Sequence, residues 1–320
     1  MSGDGTRLLA LAGGVGGAKL ALGLASILPA ERLTVVVNTA DDFEHLGLAI
    51  CPDLDTVMYT LGGVANPDTG WGRRDESWAV MEAIGALGGE TWFRLGDKDL
   101  AVHIERSRRL RAGEPLSMVT HDLARRLGVR PTLLPMSDDP VRTMVETNRG
   151  ELAFQDWFVR LRCEPVVKSV RFAGVGTAAP HPILSDLANL HGVVICPSNP
   201  FVSVGPILAL PGVRDALAGA GVPRVAVTPI VGGQAVKGPA AKMLAELGHD
   251  VSAVGVARYY TGLIDGFVLD AMDSNLAPSI ETLGLKVRVT DTMMRDDADK
   301  RRLAAATLDF VDELAASGQN

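Results

Sequence analysis

Short runs of apolar and β-branched residues alternate along the chain with longer segments in which apolar residues recur at helical spacing. The short runs predict buried strands and the longer segments predict helices. The predicted strands are 8–12, 33–38, 193–196, 224–228, 251–254, 267–270 and 286–290, and the clearest predicted helices are 19–28, 76–87, 117–127, 182–190, 239–247 and 298–316. This alternation is typical of an α/β fold, so we predict a doubly wound, mostly parallel, Rossmann-like sheet.

One segment, 97–174, breaks this alternation. It begins with two charged helical segments and continues over 131–171 with short strands and turns. No internal repeat and no flexible linker divides the 320 residues into halves. We therefore predict a single domain over 1–320 with a smaller lobe inserted at about 97–174.

Charge and composition exclude several classes of partner. The formal net charge is -7, which argues against a nucleic-acid partner held by phosphate neutralisation. Three scattered cysteines do not predict a disulfide framework. The longest uncharged run, 192–213, contains four prolines and is not a regular membrane helix. We expect a cytoplasmic protein without a membrane partner, and a homodimer, because open sheets of this size often pair.

Four glycines follow the first predicted strand and precede a helix, in the run Gly-Gly-Val-Gly-Gly-Ala-Lys at 13–19. Such a turn presents backbone N–H groups to an anion at the helix start, which predicts a phosphate site. The run is neither a P-loop, since Leu20 follows Lys19, nor a complete dinucleotide fingerprint. The alternative is a turn needed only for close helix packing. The residues predicted to bind a donor diphosphate here are Gly13, Gly14, Gly16, Gly17 and Lys19.

Carboxylates cluster after the second predicted strand, as Asp41 and Asp42, and again as Asp53 and Asp55. Carboxylates beside a phosphate are typical of a magnesium site. Asp41 is equally well explained as a turn residue and Asp53 as a helix N-cap, whereas no simple cap explains Asp42 or Asp55. We therefore predict Asp42 and Asp55 as the metal ligands, and the sequence leaves open whether Asp53 faces the metal in place of Asp55.

Other polar residues also follow strand ends. Asn38 stands where a dinucleotide fold has an acidic residue, which argues against NAD, and we assign it to the diphosphate site. Ser198 and Asn199 lie between two prolines in a rigid loop and are predicted to reach the same crevice. Arg94 precedes a charged turn and is equally well read as a clamp or as a surface residue. Four arginines predict a solvated helix face without a site: Arg106, Arg108, Arg109 and Arg111.

Six ordered motifs together resemble the 2-phospho-L-lactate transferase family over nearly the whole chain. They are Gly-Gly-Val-Gly-Gly-Ala-Lys at 13–19, Val-Asn-Thr-Ala-Asp-Asp at 37–42, Pro-Asp-Leu-Asp-Thr at 52–56, Leu-Gly-Asp-Lys-Asp at 95–99, Leu-Pro-Met-Ser-Asp-Asp-Pro at 134–140 and Pro-Ser-Asn-Pro at 197–200. The resemblance implies deazaflavin coenzyme biosynthesis. It implies transfer of a phosphoenolpyruvyl or 2-phospho-L-lactyl group from a guanosine diphosphate conjugate to 7,8-didemethyl-8-hydroxy-5-deazariboflavin, with magnesium present and GMP released.

Residue roles follow from the same resemblance. Asp55 and Arg94 look like deazaflavin contacts, and Asp42 looks like a metal or catalytic carboxylate. Asp42 and Asp55 are also the candidates for accepting the proton of the acceptor hydroxyl. The Ala- and Arg-rich helices suggest the actinobacterial branch, which implies phosphoenolpyruvate, although the motif residues do not separate the two acids.

Two other functions fit parts of the sequence. The related gluconeogenesis-factor proteins are similar in fold and in the first glycine loop, which leaves a non-catalytic nucleotide-sugar-binding regulator as the alternative. Binding of the deazaflavin chromophore would separate the two. A nicotinamide oxidoreductase ranks last because of Asn38.

Overall fold

The computed structural model describes residues 7–317, which are organised around a seven-stranded sheet. The strands are β1 Arg7–Ala12, β2 Leu33–Val37, β3 Phe43–His45, β4 Leu48–Ile50, β5 Thr132–Pro135, β6 Arg142–Thr147, β7 Gly150–Ala153, β8 Val167–Ala173, β9 Leu190–Ile195, β10 Arg224–Val227, β11 Ile230–Val231, β12 Gln234–Ala235, β13 Gly266–Asp270 and β14 Lys286–Thr290. The central sheet has the order β14-β13-β10-β9-β1-β2-β5, and neighbouring strands in it are parallel.

Helices cover both faces of this sheet. They are α1 Gly14–Ile27, α2 Pro52–Leu61, α3 Ala79–Ala86, α4 Asp97–Arg111, α5 Leu116–Arg126, α6 Gly205–Ala209, α7 Val213–Ala218, α8 Ala240–Glu246, α9 Ala253–Tyr259, α10 Ala277–Glu281 and α11 Asp297–Ser317. Within residues 7–317, no helix combines the length and the apolar character needed to cross a membrane.

Alternate residues of the same strand belong to two different hydrophobic cores. In β1, Leu8 and Ala10 pack with α1, α2 and α11 on one face, whereas Leu9 and Leu11 pack on the other face with α6 to α9. A strand that is apolar at every position is buried on both faces, which is why these runs carry no polar alternation. The predicted doubly wound, parallel α/β architecture is confirmed.

The interrupting segment divides into two parts. β5 pairs in parallel with β2 and forms an edge of the central sheet. Within the described chain, β6 lies between β7 and β8 in a separate antiparallel sheet. The smaller sheet thus covers 142–173, and β5 belongs to the main sheet because its apolar residues Leu133 and Leu134 continue the two cores.

Two predicted elements are wrong. The predicted strand 251–254 is the start of α9, where the Ser252 hydroxyl accepts a hydrogen bond from the Gly255 N–H and caps the helix. The predicted helix 182–190 is a single 3₁₀ turn, Pro182–Leu184, and Leu190 already begins β9. Buried leucines at 184, 187 and 190 have helical spacing, but the backbone over 185–189 forms turns and no helix.

Candidate functional site

A cavity of about 690 Å³ lies at the carboxyl edge of the central sheet. One group of lining residues surrounds the N-terminus of α1, and we call it the glycine-loop side: Gly13, Gly14, Val15, Gly16, Asp41, Asp53, Pro197, Ser198, Asn199 and Lys237. A second group is apolar, and we call it the aromatic side: Ile50, Trp92, Phe93, Phe154, Phe158 and Val159. Ligands of open α/β sheets bind at this edge, so the cavity is the candidate site.

The first N–H groups of the glycine loop are already occupied. The Gly13 N–H donates to the Ser198 hydroxyl at 3.1 Å, and the same hydroxyl donates to the Gly13 carbonyl at 2.9 Å. The Gly14 N–H donates to Asp53 Oδ1 at 2.8 Å. The N–H groups of Val15 and Gly16 lie in the first turn of α1, where a helix offers no acceptor. In the part of the chain that the structure describes, these two N–H groups of the loop have no acceptor.

Three of the four predicted loop glycines are also required for packing. A Cβ at Gly13 would lie 2.5 Å from Asp53 Oδ2, and one at Gly16 would lie 2.2 Å from the Pro197 carbonyl oxygen. A Cβ at Gly17 would lie 2.5 Å from the Ser198 hydroxyl. Close packing therefore explains three of these glycines, and the helix start that they form also lines the cavity.

Asn38 directly follows β2, and its side chain links the end of this strand to Asp53 and Val202. Its buried side chain donates to Asp53 Oδ2 at 3.0 Å and to the Val202 carbonyl at 3.1 Å, and its oxygen accepts from the Ala40 N–H. Asn199 lines the cavity while its oxygen accepts from the Phe201 N–H. Asn38 thus positions Asp53, and the structure gives it no place in the cavity wall.

Asp41 and Asp53 are the acidic pair on the glycine-loop side. Asp41 Oδ1 is buried and has no hydrogen-bond partner in the described part of the chain. Burial and the charge of Asp53 raise the pKa of Asp41 well above its ordinary value. Burial also raises the pKa of Asp53 to about 6, against hydrogen bonds from Asn38 and the Gly14 N–H that lower it. The charge of Asp53 and the burial of both carboxylates thus favour the neutral form of Asp41.

The predicted pair Asp42 and Asp55 is arranged differently. Asp55 lines the cavity, but both its oxygens are bound by the guanidinium of Arg106, through Nη1 at 3.0 Å and through Nη2. Asp42 is buried outside the cavity lining, and burial raises its pKa to about 8. The two carboxylates therefore differ in their surroundings. Asp55 forms an ion pair in the cavity wall, whereas Asp42 is buried and does not line the cavity.

The prediction of a solvated arginine face is wrong for Arg106, which is only 1% exposed. Arg108 and Arg111 are exposed as predicted, and Arg109 is half-buried in ion pairs with Glu114 and Asp122. Arg106 is buried because α4 packs its 99, 103 and 106 positions toward Asp55 and Tyr59 of α2.

A buried polar network on α2 and α4 was not predicted from the sequence. The Tyr59 hydroxyl donates to Asp99 Oδ1 at 2.5 Å, and His103 Nε2 lies 3.2 Å from the same oxygen. His103 Nδ1 accepts from Arg106 Nη1 at 3.3 Å. Tyr59, Asp99 and His103 all line the cavity. The signal was present in the sequence as polar residues four and three apart on two helices, which lie on one helical face.

Two predicted cations have different positions. Arg94 lines the cavity beside Phe93, and its guanidinium lies 4.3 Å from the centre of the Trp78 ring. Lys19 does not line the cavity, since its ammonium donates to the Met294 carbonyl at 2.9 Å. Burial, with the charges of Lys300 and Lys237, lowers the pKa of Lys19. The structure therefore does not bring Lys19 to the predicted phosphate site.

A helix start, a buried acidic pair and an aromatic wall share one cavity at the carboxyl edge of the sheet, which is where α/β proteins of this kind bind their ligands. The model of the family 2-phospho-L-lactate transferase CofD matches residues 8–307. The chain belongs to this family, and it is a transferase.

Curated relatives cover nearly the full chain. A phosphoenolpyruvate transferase of Streptomyces griseus is 44% identical over 317 residues, with 97% of this chain and 100% of the relative covered. A 2-phospho-L-lactate transferase of Methanosarcina barkeri is 40% identical over 308 residues, with 96% and 99% covered. Both names describe transfer of a three-carbon phosphorylated acid.

Solved structures share the fold. A crystal structure of a UPF0052 family member from Bacillus halodurans has a TM-score of 0.61 and 15% identity, and the match covers 95% of this chain and 99% of that one. At this identity the similarity confirms the α/β architecture and nothing about activity.

Proposed function

We propose that this enzyme transfers a phosphoenolpyruvyl group from a guanosine diphosphate conjugate to the ribityl hydroxyl of 7,8-didemethyl-8-hydroxy-5-deazariboflavin and releases GMP. One observation carries the proposal: a single cavity joins the free N–H groups of Val15 and Gly16 to an apolar aromatic side. The diphosphate belongs at the helix start and the tricyclic acceptor on the aromatic side. The names of the Streptomyces relatives favour phosphoenolpyruvate, and the Methanosarcina names keep 2-phospho-L-lactate as the second donor.

Magnesium fits Asp41 and Asp53 better than Asp42 and Asp55. Within residues 7–317 no group of three His, Cys, Asp or Glu side chains is placed to hold a metal ion. Magnesium commonly takes only one or two carboxylates, with water and substrate phosphates as the other ligands. The unpartnered Asp41 oxygen and the neighbouring Asp53 meet that requirement, whereas Asp55 is neutralised by Arg106.

The side chains and backbone groups of the cavity contribute mainly by binding and orienting the two substrates. The N–H groups of Val15 and Gly16 hold the diphosphate, and Ser198 fixes that turn through its two hydrogen bonds with Gly13. A bound magnesium ion would neutralise charge on the phosphates of the donor. Asp55, fixed by Arg106, and Arg94 orient the acceptor on the other side of the cavity. Little deprotonation of the hydroxyl is required early in such transfers.

The direct test is incubation of the purified protein with the deazaflavin acceptor, magnesium and each guanosine diphosphate conjugate in turn. We expect the mass of the acceptor to rise by the phosphoenolpyruvyl group, with one GMP released for each acceptor consumed. If neither donor modifies the acceptor, the proposed reaction is wrong. If only the lactyl donor reacts, the reaction class stands and the choice of acid is wrong.

A regulator that binds a nucleotide sugar is the alternative that the sequence leaves open, on the basis of the first glycine loop. Membership of the transferase family and the aromatic side of the cavity favour catalysis. Titration with the acceptor separates the two. A transferase should change the absorbance or fluorescence of the bound chromophore, and a regulator should leave both unchanged.

A further inference from the structure

Lys237 is a cation on the glycine-loop side of the cavity. It follows β12 by two residues and lines the cavity wall. Its ammonium donates a hydrogen bond to the carbonyl of Thr69, in a loop formed by residues 66–72. This loop is closed by its own backbone bonds, from the Asn66 N–H to Gly72 and from the Gly70 N–H to Asn66. Lys237 therefore joins two surface loops across the cavity wall.

Gly70 shows how close this contact is to the start of α1. A Cβ at Gly70 would lie 2.7 Å from Lys237 Nζ and 3.2 Å from Val15 Cγ1. The ammonium and the Val15 side chain therefore lie beside the same point. Val15 is also one of the two residues whose N–H groups have no helical acceptor at the start of α1. A lysine ammonium and the positive end of the helix dipole both favour an anion at this place.

A cation beside the start of α1 would offset the negative charge on this side of the cavity. The magnesium ion proposed at Asp41 and Asp53 offsets only part of the combined negative charge of these carboxylates and of a diphosphate bound at the helix start, because both lie on the same side of the cavity. Lys19, the cation predicted from the sequence, is engaged by the Met294 carbonyl. The two arginines that line the cavity, Arg94 and Arg162, belong to the segments that supply Phe93 and Phe158 to the aromatic side.

We propose that Lys237 binds the diphosphate of the guanosine donor, and that it exchanges the Thr69 carbonyl for a phosphate oxygen when the donor enters. A charged phosphate is a stronger acceptor for an ammonium than a neutral carbonyl, so the exchange is favourable. Donor binding thereby releases the 66–72 loop from its contact with Lys237. This inference rests on the proposed function, since it takes the donor to be a guanosine diphosphate conjugate.

The test is calorimetric titration of GDP with magnesium into the wild type, Lys237→Met and Lys237→Arg. Loss of one charge-assisted contact should weaken GDP binding about 10-fold or more in Lys237→Met. Lys237→Arg keeps the charge and should recover most of the affinity. In the protein without ligand, amide hydrogen exchange of residues 66–72 should be faster in Lys237→Met than in the wild type, because the Thr69 contact is lost.

Lys242→Met is the matched control, because Lys242 carries the same charge but pairs with Glu246 on α8 and does not line the cavity. It should bind GDP as the wild type does. Equal affinity of Lys237→Met and wild type would overturn the inference, and so would equal weakening in both methionine variants. Failure of the wild type itself to bind GDP would instead contradict the proposed function.

Discussion

At the scale of single residues, the decisive feature is the buried pair of Asp55 and Arg106. Their side chains are 7% and 1% exposed, and the guanidinium contacts both carboxylate oxygens. A buried pair of this kind adds little net stability over apolar residues, but removing one partner leaves an unpaired charge in the interior. The pair therefore fixes Asp55 in the cavity wall. Breaking the pair should lower the stability of the fold strongly.

Arg106→Met should lower the free energy of unfolding by about 3 to 5 kcal/mol, because Asp55 would stay buried without a partner. Urea unfolding measures the change. Arg108→Met is the control on the same helix, since Arg108 pairs with Glu105 where both side chains are largely exposed. Its effect should stay within about 0.5 kcal/mol. Equal midpoints for the two variants would show that the Arg106 pair is not structural.

The acidic pair gives the catalytic prediction at this scale. Asp53→Asn keeps one oxygen that can accept from the Gly14 N–H, replaces the oxygen that accepts from the Asn38 amide with an NH₂ group, and removes one charge beside Asp41. We expect turnover to fall by about 100-fold, or about 2.7 kcal/mol, at saturating substrates. The loss should be larger at low magnesium. A turnover close to wild type across all magnesium concentrations would exclude Asp53 from the metal site.

The sequence alone located these residues only in part. It predicted that carboxylates and an asparagine would gather at the strand ends, because parallel strands share a carboxyl edge. It could not show which carboxylates are free. Asp55 and Asp53 are two residues apart, yet one is neutralised by Arg106, 51 positions later, and the other is not. In the sequence, Arg106 looks like the other arginines of α4. Only the packing of α4 on α2 shows that Arg106 is buried and that Arg108 and Arg111 are exposed.

At the scale of elements, α1 is positioned by its contact with α11. Gly23 lies in the middle of α1, and a Cβ there would be 2.2 Å from the Lys300 carbonyl oxygen and 3.0 Å from Ala304 Cβ. The absence of a side chain therefore sets how closely the two helices approach. Because α1 begins at the cavity, this contact also sets where its free N–H groups point.

Gly23→Ala should destabilise the fold by about 1 to 3 kcal/mol, the usual cost of overpacking a tight interior. Helix propensity alone would make the alanine variant more stable by about 1 kcal/mol. The sign of the change in stability therefore tests whether the contact between α1 and α11 at Gly23 is tight. Gly85→Ala in α3 is the control, because its Cβ would meet only Thr91 Cγ2 at 3.4 Å. Thermal or urea unfolding should show opposite shifts for the two variants, and shifts of the same sign would contradict the role of Gly23.

Elements with a regular apolar pattern were predicted well, and the irregular ones were not. β1 and β13 agree closely with the predicted strands, because runs buried on both faces have no competing pattern. The edge strand β14 also agrees, although its residues are half-buried or exposed, because β-branched residues alternate along it. α1 begins at Gly14, five residues before the predicted start at 19, because glycines are a weak helix signal. The start of α9 was predicted as a strand because Val251 and Val254 favour a strand, although Ser252 is a typical helix N-cap.

At the scale of the whole molecule, the cavity is assembled from segments distant in the chain. The glycine loop and Asp53 come from the first 60 residues, the aromatic Phe154 from the smaller sheet region, and Ser198 and Lys237 from the second half. Any ligand that fills the cavity therefore contacts several layers at once. Ligand binding should stabilise the fold as one unit, because unfolding of any of these segments destroys the site.

GDP with magnesium should consequently raise the unfolding temperature of the whole chain. At a GDP concentration 100 times its dissociation constant, the linkage contributes about 2.7 kcal/mol, which corresponds to a shift of several degrees. Chelation of magnesium should reduce the shift, because the acidic pair then faces the diphosphate without a bridging cation. Scanning fluorimetry with and without chelator measures both effects. A GDP-induced shift that is the same with and without magnesium would place the diphosphate away from Asp41 and Asp53.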